Sequence, residues 1–120
     1  MREIKFRIWN GAYFDYWGFV HDKHGVHFSS PSSNNEYPMT YEDRENRSEQ
    51  FTGLCDKDGR KIYEGDIVKA PGLTGEIIYS ERWAEFKLLG ANSVGFYPDI
   101  EVIGNIHENL ELLEVRNEND

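Results

Sequence analysis

Four carboxylates, Asp56, Asp58, Glu64 and Asp66, fall among the glycines Gly53, Gly59 and Gly65 and beside Lys57, Arg60, Lys61 and Lys69. Glycines, acids and lysines packed this closely are what a loop needs to hold a phosphate or a divalent cation. A phosphate loop requires Gly-Lys-Ser/Thr after its glycines. Here Gly53 is followed by Leu54 and Gly59 by Arg60. A calcium loop requires oxygen ligands at fixed alternating positions and a closing acid, and that register fails after Gly59. The same residues have a complete structural account. The glycines allow positive φ, Asp58 starts a turn, and Ile62, Tyr63, Ile67 and Val68 fill a core. The stretch TGLCDKDGRKIYEGDIVK, from Thr52 to Lys69, therefore reads as the folding signal of a small β domain.

The remaining reactive side chains give no constellation either. His21, His24 and His27 are spaced three apart around one turn. His21 and His27 facing each other across two strands would offer two imidazoles, but zinc needs a third protein ligand that the sequence does not supply. Cys55 is the single cysteine; it has no partner for a disulfide or a redox pair, which fits a reducing cytoplasm. No nucleophile elbow accompanies any serine, and paired carboxylates are too common in this composition to signal hydrolysis. The expectation is no catalytic residue, no metal site and no cofactor: a protein that is not an enzyme.

The elements that carry these residues are short strands. Ile4, Phe6 and Ile8 alternate with Lys5 and Arg7, the period-two pattern of a half-buried strand. Asn10-Gly11 then predicts a tight hairpin turn, with a second strand over residues 12–20. A turn at Asp22–Gly25 returns through Val26, His27 and Phe28. Residues 29–49 are rich in Ser, Asn, Pro and charge and read as a loop or linker. The second half predicts strands over 51–55, 61–63, 67–70, 75–80, 83–89 and 100–106, each bounded by turn residues. Asn109 then caps a single helical turn. Strands at this spacing indicate a mainly β fold of two small sub-domains with little helix, the C-terminal one an SH3-like barrel. The divisions expected are a β-meander over 1–28, the polar segment 29–49, a barrel over 50–107, and a helical turn with an acidic tail over 108–120.

The chain has 120 residues, the size of one domain, and a formal net charge of -9 from 22 acids and 13 bases. That balance argues against general nucleic-acid binding, which rests on Lys and Arg neutralising phosphates. Arg2, Lys5, Arg7, Arg60, Lys61 and Lys69 are the residues that would form a basic patch despite it. Aromatic residues make up 14% of the chain, enough to build a core and leave some rings for a partner. Tyr13, Tyr16, Trp17, Trp83 and Tyr97 are the candidates for partner contact. The start, MREIKFRIW, is charged at once and has no signal-peptide core. No apolar run approaches the roughly 20 residues of a membrane helix, so a cytoplasmic protein without a membrane partner is expected.

Three blocks together resemble one family: MREIKFRIWN at the start, QFTGLCDKDGRKIYEGDIVK in the middle and IEVIGNIHENLELLE near the end. In this order and spacing the chain resembles the YopX family of small proteins encoded by phages and prophages. The third block departs from the family pattern in having Leu110 after Asn109, where a proline is common. The resemblance implies a β-rich protein of two small sub-domains, homo-oligomeric association and a place in the bacterial host cytoplasm; it supplies no catalytic residues. The expected function is a phage accessory module that binds a host or phage protein. Nucleic-acid binding by the barrel, or acidic mimicry of DNA against a host protein, are the alternatives.

Overall fold

In the computed structural model the described residues are 4–29 and 48–113. The strands are β1 (Ile4–Trp9), β2 (Phe14–Asp22), β3 (Gly25–Ser29), β4 (Glu49–Cys55), β5 (Lys61–Tyr63), β6 (Asp66–Ala70), β7 (Leu73–Ser80), β8 (Glu85–Leu88) and β9 (Glu101–Asn105), with a 3-10 turn over Val94–Phe96. The fold is mainly β. One antiparallel sheet runs β3-β2-β1-β4-β5 and the other β8-β7-β6-β9. The chain divides into two compact units, Met1–Gly53 and Leu54–Asp120. The division thus runs through β4, whereas composition drew it in residues 29–49, most of which lie outside the described residues.

In the first unit the expected meander is present. β1 pairs with β2 from Ile4↔Phe19 to Trp9↔Phe14, and β2 with β3 from Gly18↔Ser29 to Asp22↔Gly25. This register puts Ile4, Phe6, Ile8, Trp17, Phe19 and Phe28 on one face, because paired residues share a side of the pleat. Their rings confirm it: Phe6 stacks on Trp17 with centroids 4.4 Å apart, and Phe19 meets Trp17 and Phe28 edge-on. Gly18 faces the other way, where a Cβ would stand 2.3 Å from the Ile4 carbonyl oxygen; no other residue fits that pairing. The first turn differs from expectation. Asn-Gly predicts a two-residue loop, but the Asn10 side chain accepts from the N–H groups of both Ala12 and Tyr13. These bonds draw Ala12 and Tyr13 into a four-residue loop, and β2 starts at Phe14.

The second unit has an aliphatic core of Ile62, Val68, Ile77, Leu88, Val94 and Ile100. β6 is its centre. Asp66, Ile67, Val68 and Ala70 are all buried, so this strand is covered on both faces. β7 pairs with β8 through Ile77↔Leu88 and Tyr79↔Phe86, which puts Phe86 and Leu88 on the core side, as alternation predicts. Trp83, read as part of that strand, lies instead in the β7–β8 turn: Ala84 has φ +52 there, a left-handed backbone that stops the pairing at Glu85. β9 returns antiparallel to β6 with a bulge between Ile67 and Val68. Among the described residues the four strands form an open sheet and not the closed barrel expected. The pairing ends at β8 on one side and β9 on the other.

Candidate functional site

The Thr52–Lys69 motif folds as two turns, each organised by one buried carboxylate. Gly53, Gly59 and Gly65 have φ of +90°, +86° and +83°, the conformation for which glycine was inferred. Asp56 is 6% exposed. Its Oδ1 accepts from the N–H groups of Asp58 and Arg60, each at 2.9 Å, and its Oδ2 from the N–H of Val102 at 3.0 Å. Burial pushes the Asp56 carboxyl up. The three backbone N–H groups, of Val102, Arg60 and Asp58, and the Arg60 guanidinium outweigh it and hold the group below its ordinary value.

These contacts fall along one edge of β9. The Val102 N–H meets Asp56, the Val102 carbonyl accepts from Arg60 Nη1 at 3.4 Å, and the Ile100 carbonyl accepts from the Lys57 N–H at 3.0 Å. Lys57 Nζ lies 3.8 Å from Glu101. The loop 56–60 therefore occupies the ladder positions that another strand would fill, a recognised way to blunt a sheet edge. Asp66 does the same work in the next turn. It is 3% exposed and its Oδ2 accepts from the Tyr63 N–H at 2.8 Å. Gly65 then donates to the Ile77 carbonyl and accepts from the Ile106 N–H.

The C-terminal block is a third polar clamp. Asn105 Oδ1 accepts from the N–H groups of His107 and Glu108, and Asn109 Oδ1 accepts from the Asn105 N–H at 3.2 Å. Gly104 makes this possible: a Cβ there would lie 2.6 Å from Asn109 Oδ1. A helical turn over residues 111–113 follows as expected, but the Leu112 N–H bonds the Asn109 main-chain carbonyl while the Asn109 side chain faces back to Asn105. Sequence reasoning found the turns of the motif and the helical turn after Asn109. It missed the reach of Asp56 to Val102, 46 positions away, for which no local signal exists.

With the first block placed in β1 and the other two in turns and clamps, comparison with known proteins decides the family. The YopX protein family pattern matches residues 5–114. The chain belongs to the YopX family. Protein EF1440 from Enterococcus faecalis, a crystal structure, is similar with a TM-score of 0.54 and 23% identity, over 94% of this chain and 99% of that one. At that identity the likeness concerns the fold. No curated protein sequence matches.

This YopX-family chain distributes its candidate contact residues unevenly. Tyr13 and Trp83 stand out at the β1–β2 and β7–β8 turns, 62% and 64% exposed. Tyr16 is partly exposed on β2. Trp17 is half-buried and donates from Nε1 to Ser48 Oγ at 2.9 Å. Tyr97 packs against the core, and its hydroxyl accepts from the Asn92 N–H at 3.1 Å. Of the basic candidates, Lys5, Arg60, Lys61 and Lys69 are exposed, and Arg2 lies outside the described residues. Arg7 is 5% exposed, bonds Glu49 Oε1 through Nε at 2.9 Å and stacks over Phe14 at 4.0 Å. That places it in the packing of the first unit and not on a basic surface. Lys57 and Lys69 line a shallow groove with Ala70, Pro71, Asp99 and Glu101, where acids balance the lysines.

The histidine pair is corrected by register. His27 lies opposite Val20 and His21 opposite Val26, so the two imidazoles belong to opposite faces and do not converge. No cluster of three metal-ligating side chains occurs among the described residues. No described helix is long and apolar enough to cross a membrane.

Proposed function

We propose that this protein is a phage or prophage accessory module that works without catalysis, in the host cytoplasm, by binding a host or phage protein. The observation that carries the reading is Trp83. It is 64% exposed at a hairpin tip whose backbone is held in a strained shape by Ala84, φ +52. The Trp83 N–H donates to Ser80 Oγ, and the Arg82 guanidinium lies 5.2 Å from its ring. A large ring presented on a rigid turn loses little entropy when a partner covers it, which is how hot-spot residues act. Strain at a sparsely populated backbone conformation is a common mark of a working turn.

The non-catalytic reading is supported by the use of the carboxylates. Asp56 and Asp66, the two buried acids of the motif, accept from backbone N–H groups, so their oxygens organise the chain. The C-terminal unit is read here as an opened SH3-like barrel, because its last strand returns to pair with β6. Association of several copies is part of the same proposal, since small units with thin cores gain from it.

The test is a pull-down from host lysate with the tagged chain and with Trp83→Ala, each with and without nuclease. A protein recovered after nuclease treatment and lost with Trp83→Ala supports the reading. Recovery that vanishes with nuclease would move single-strand binding, through Lys5, Arg60, Lys61 and Lys69, to first place. Recovery of a DNA-binding host protein with unchanged Trp83 dependence would favour acidic mimicry.

A further inference from the structure

We propose that Asn10 is a self-modification site, at which the folded chain deamidates through the backbone nitrogen of Gly11. Asn10 opens the loop between β1 and β2. Its Oδ1 accepts from the N–H groups of Ala12 at 2.9 Å and Tyr13 at 3.0 Å, and its Nδ2 donates to Asp15 Oδ2 at 3.2 Å. Two backbone donors on one amide oxygen polarise the Cγ–O bond and stand where an oxyanion would form. That arrangement lowers the barrier to attack on an acyl carbon. The nucleophile is supplied by the neighbouring residue. Gly11 is exposed with φ +103, and a Cβ built on it meets nothing within 4 Å, so no side chain crowds the approach of its nitrogen.

The step balances with water alone. The Gly11 nitrogen bonds to Asn10 Cγ, the Cγ–Nδ2 bond breaks, and the proton of the Gly11 N–H leaves with the amide nitrogen as ammonia. The resulting cyclic imide takes up one water at either carbonyl and opens to aspartate or isoaspartate at position 10. Asn92, Asn105 and Asn109 precede Ser93, Ile106 and Leu110, whose side chains obstruct the same attack, so the reaction is selective within the described residues.

The product changes the turn. A carboxylate takes the place of the donor that faced Asp15 Oδ2 at 3.2 Å, and two carboxylates at that separation repel. Isoaspartate also lengthens the main chain inside a loop closed by the Asn10 N–H on the Tyr13 carbonyl at 3.1 Å. The modification is one-way, and its expected effect is to loosen the β1–β2 hairpin and with it the presentation of Tyr13.

The experiment incubates the full folded chain at mildly alkaline pH, alongside the same chain in urea, and reads peptides by mass spectrometry with aspartate and isoaspartate forms separated. Conversion of Asn10 in the folded chain, ahead of Asn92, Asn105 and Asn109, is the expected result, followed by faster amide exchange at Asn10 and Tyr13. Retention of Asn10 in the folded chain while it converts in urea overturns the proposal, because the bonds to Ala12, Tyr13 and Asp15 would then protect the amide. Conversion at Asn92 at the same rate overturns its selectivity. Asn10→Asp isolates the charge: faster exchange across the β1–β2 turn is expected, and unchanged exchange removes the claimed effect of Asp15.

Discussion

The two units solve the same folding problem with different materials. Among the described residues, the first unit has two buried hydrophobic side chains, Ile8 and Phe51, and relies on ring contacts and on the Arg7–Glu49 pair. The second has nine, from Ile62 to Ile100, and fastens its turns with Asp56, Asp66 and Asn105. Aliphatic side chains fill a core from all sides. Aromatic rings bury much area each but leave part of it in water, which is why Phe19 remains 40% exposed while meeting two other rings edge-on. An aliphatic unit can therefore carry polar clamps at its rim, where removing one leaves the core intact.

Removing Asp56 tests that contrast most strongly. Asp56→Ala leaves the N–H groups of Val102, Arg60 and Asp58 without their acceptor. With a penalty of about 1–3 kcal/mol for each such group that stays dry, a loss of about 3 kcal/mol is expected after water reaches the exposed turn. Urea unfolding gives the magnitude, and amide exchange should rise along β9 and the 56–60 loop while β1 and β2 keep their protection. Equal loss in both units would show that the clamps serve the whole chain. Acid should reproduce the effect in the parent protein. The folded carboxyl lies below its ordinary value, so its contribution is complete above the unfolded value and is lost as pH falls through the folded one. Below that range Asp56→Ala and the parent should converge in stability; a constant gap would show that the side chain acts by packing.

Glu49→Ala tests the first unit, and about 2 kcal/mol is expected. It takes the Glu49 carboxylate from Arg7, whose side chain is 6% exposed, and removing one member of a buried pair costs more than the pair contributes. Replacing both residues, Arg7→Met with Glu49→Leu, should recover most of the loss. If the double variant is as unstable as the single one, the Arg7–Phe14 stack matters more than the charge pair.

These two cases show what the residues reveal alone. The turns of the Thr52–Lys69 motif were legible because their cause is local: a glycine next to an aspartate, as in Asp58-Gly59 and Gly65-Asp66, signals a turn wherever it occurs. The strands were legible from alternation. Arg7 was not, because alternation marks a side of a strand and not its exposure, and its partner Glu49 is 42 positions away. Asp56 looked like a candidate ligand for the same reason that it is a good clamp: a carboxylate offers two oxygens with several lone pairs, and the sequence does not say whether a cation or backbone N–H groups will fill them. The open form of the second sheet was hidden as well, since closure depends on the tilt and stagger of strands, not on their number.

Gly104→Ala gives a smaller effect that separates packing from polar contact within one clamp. The added methyl would meet Asn109 Oδ1 and Cβ at 2.6 and 2.8 Å, and overpacking of this kind costs about 1–3 kcal/mol. Rotation can move Asn109 Oδ1 but not its Cβ, so the backbone must give, and a value of about 2 kcal/mol is expected in denaturant unfolding, with loss of protection at the Asn105 N–H. Combining it with Asn109→Gly should restore space but not the bond. If the double variant matches Asn109→Gly alone, Gly104 exists to admit that side chain.

The smallest stability effect belongs to the residue that carries the functional reading. Trp83 is 64% exposed, so little of its area is removed from water by folding, and surface truncations of this kind stay within about 0.5 kcal/mol. Trp83→Ala should unfold at nearly the parent's urea midpoint. Ala84→Gly, which relieves φ +52, should stabilise slightly for the same reason that glycine is favoured there, yet weaken partner binding by freeing the turn. A ring kept for packing predicts the reverse: loss of stability on truncation and no change in binding when the turn is relaxed. Measuring both quantities on both variants separates an aromatic displayed for a partner from one that merely lies at the surface.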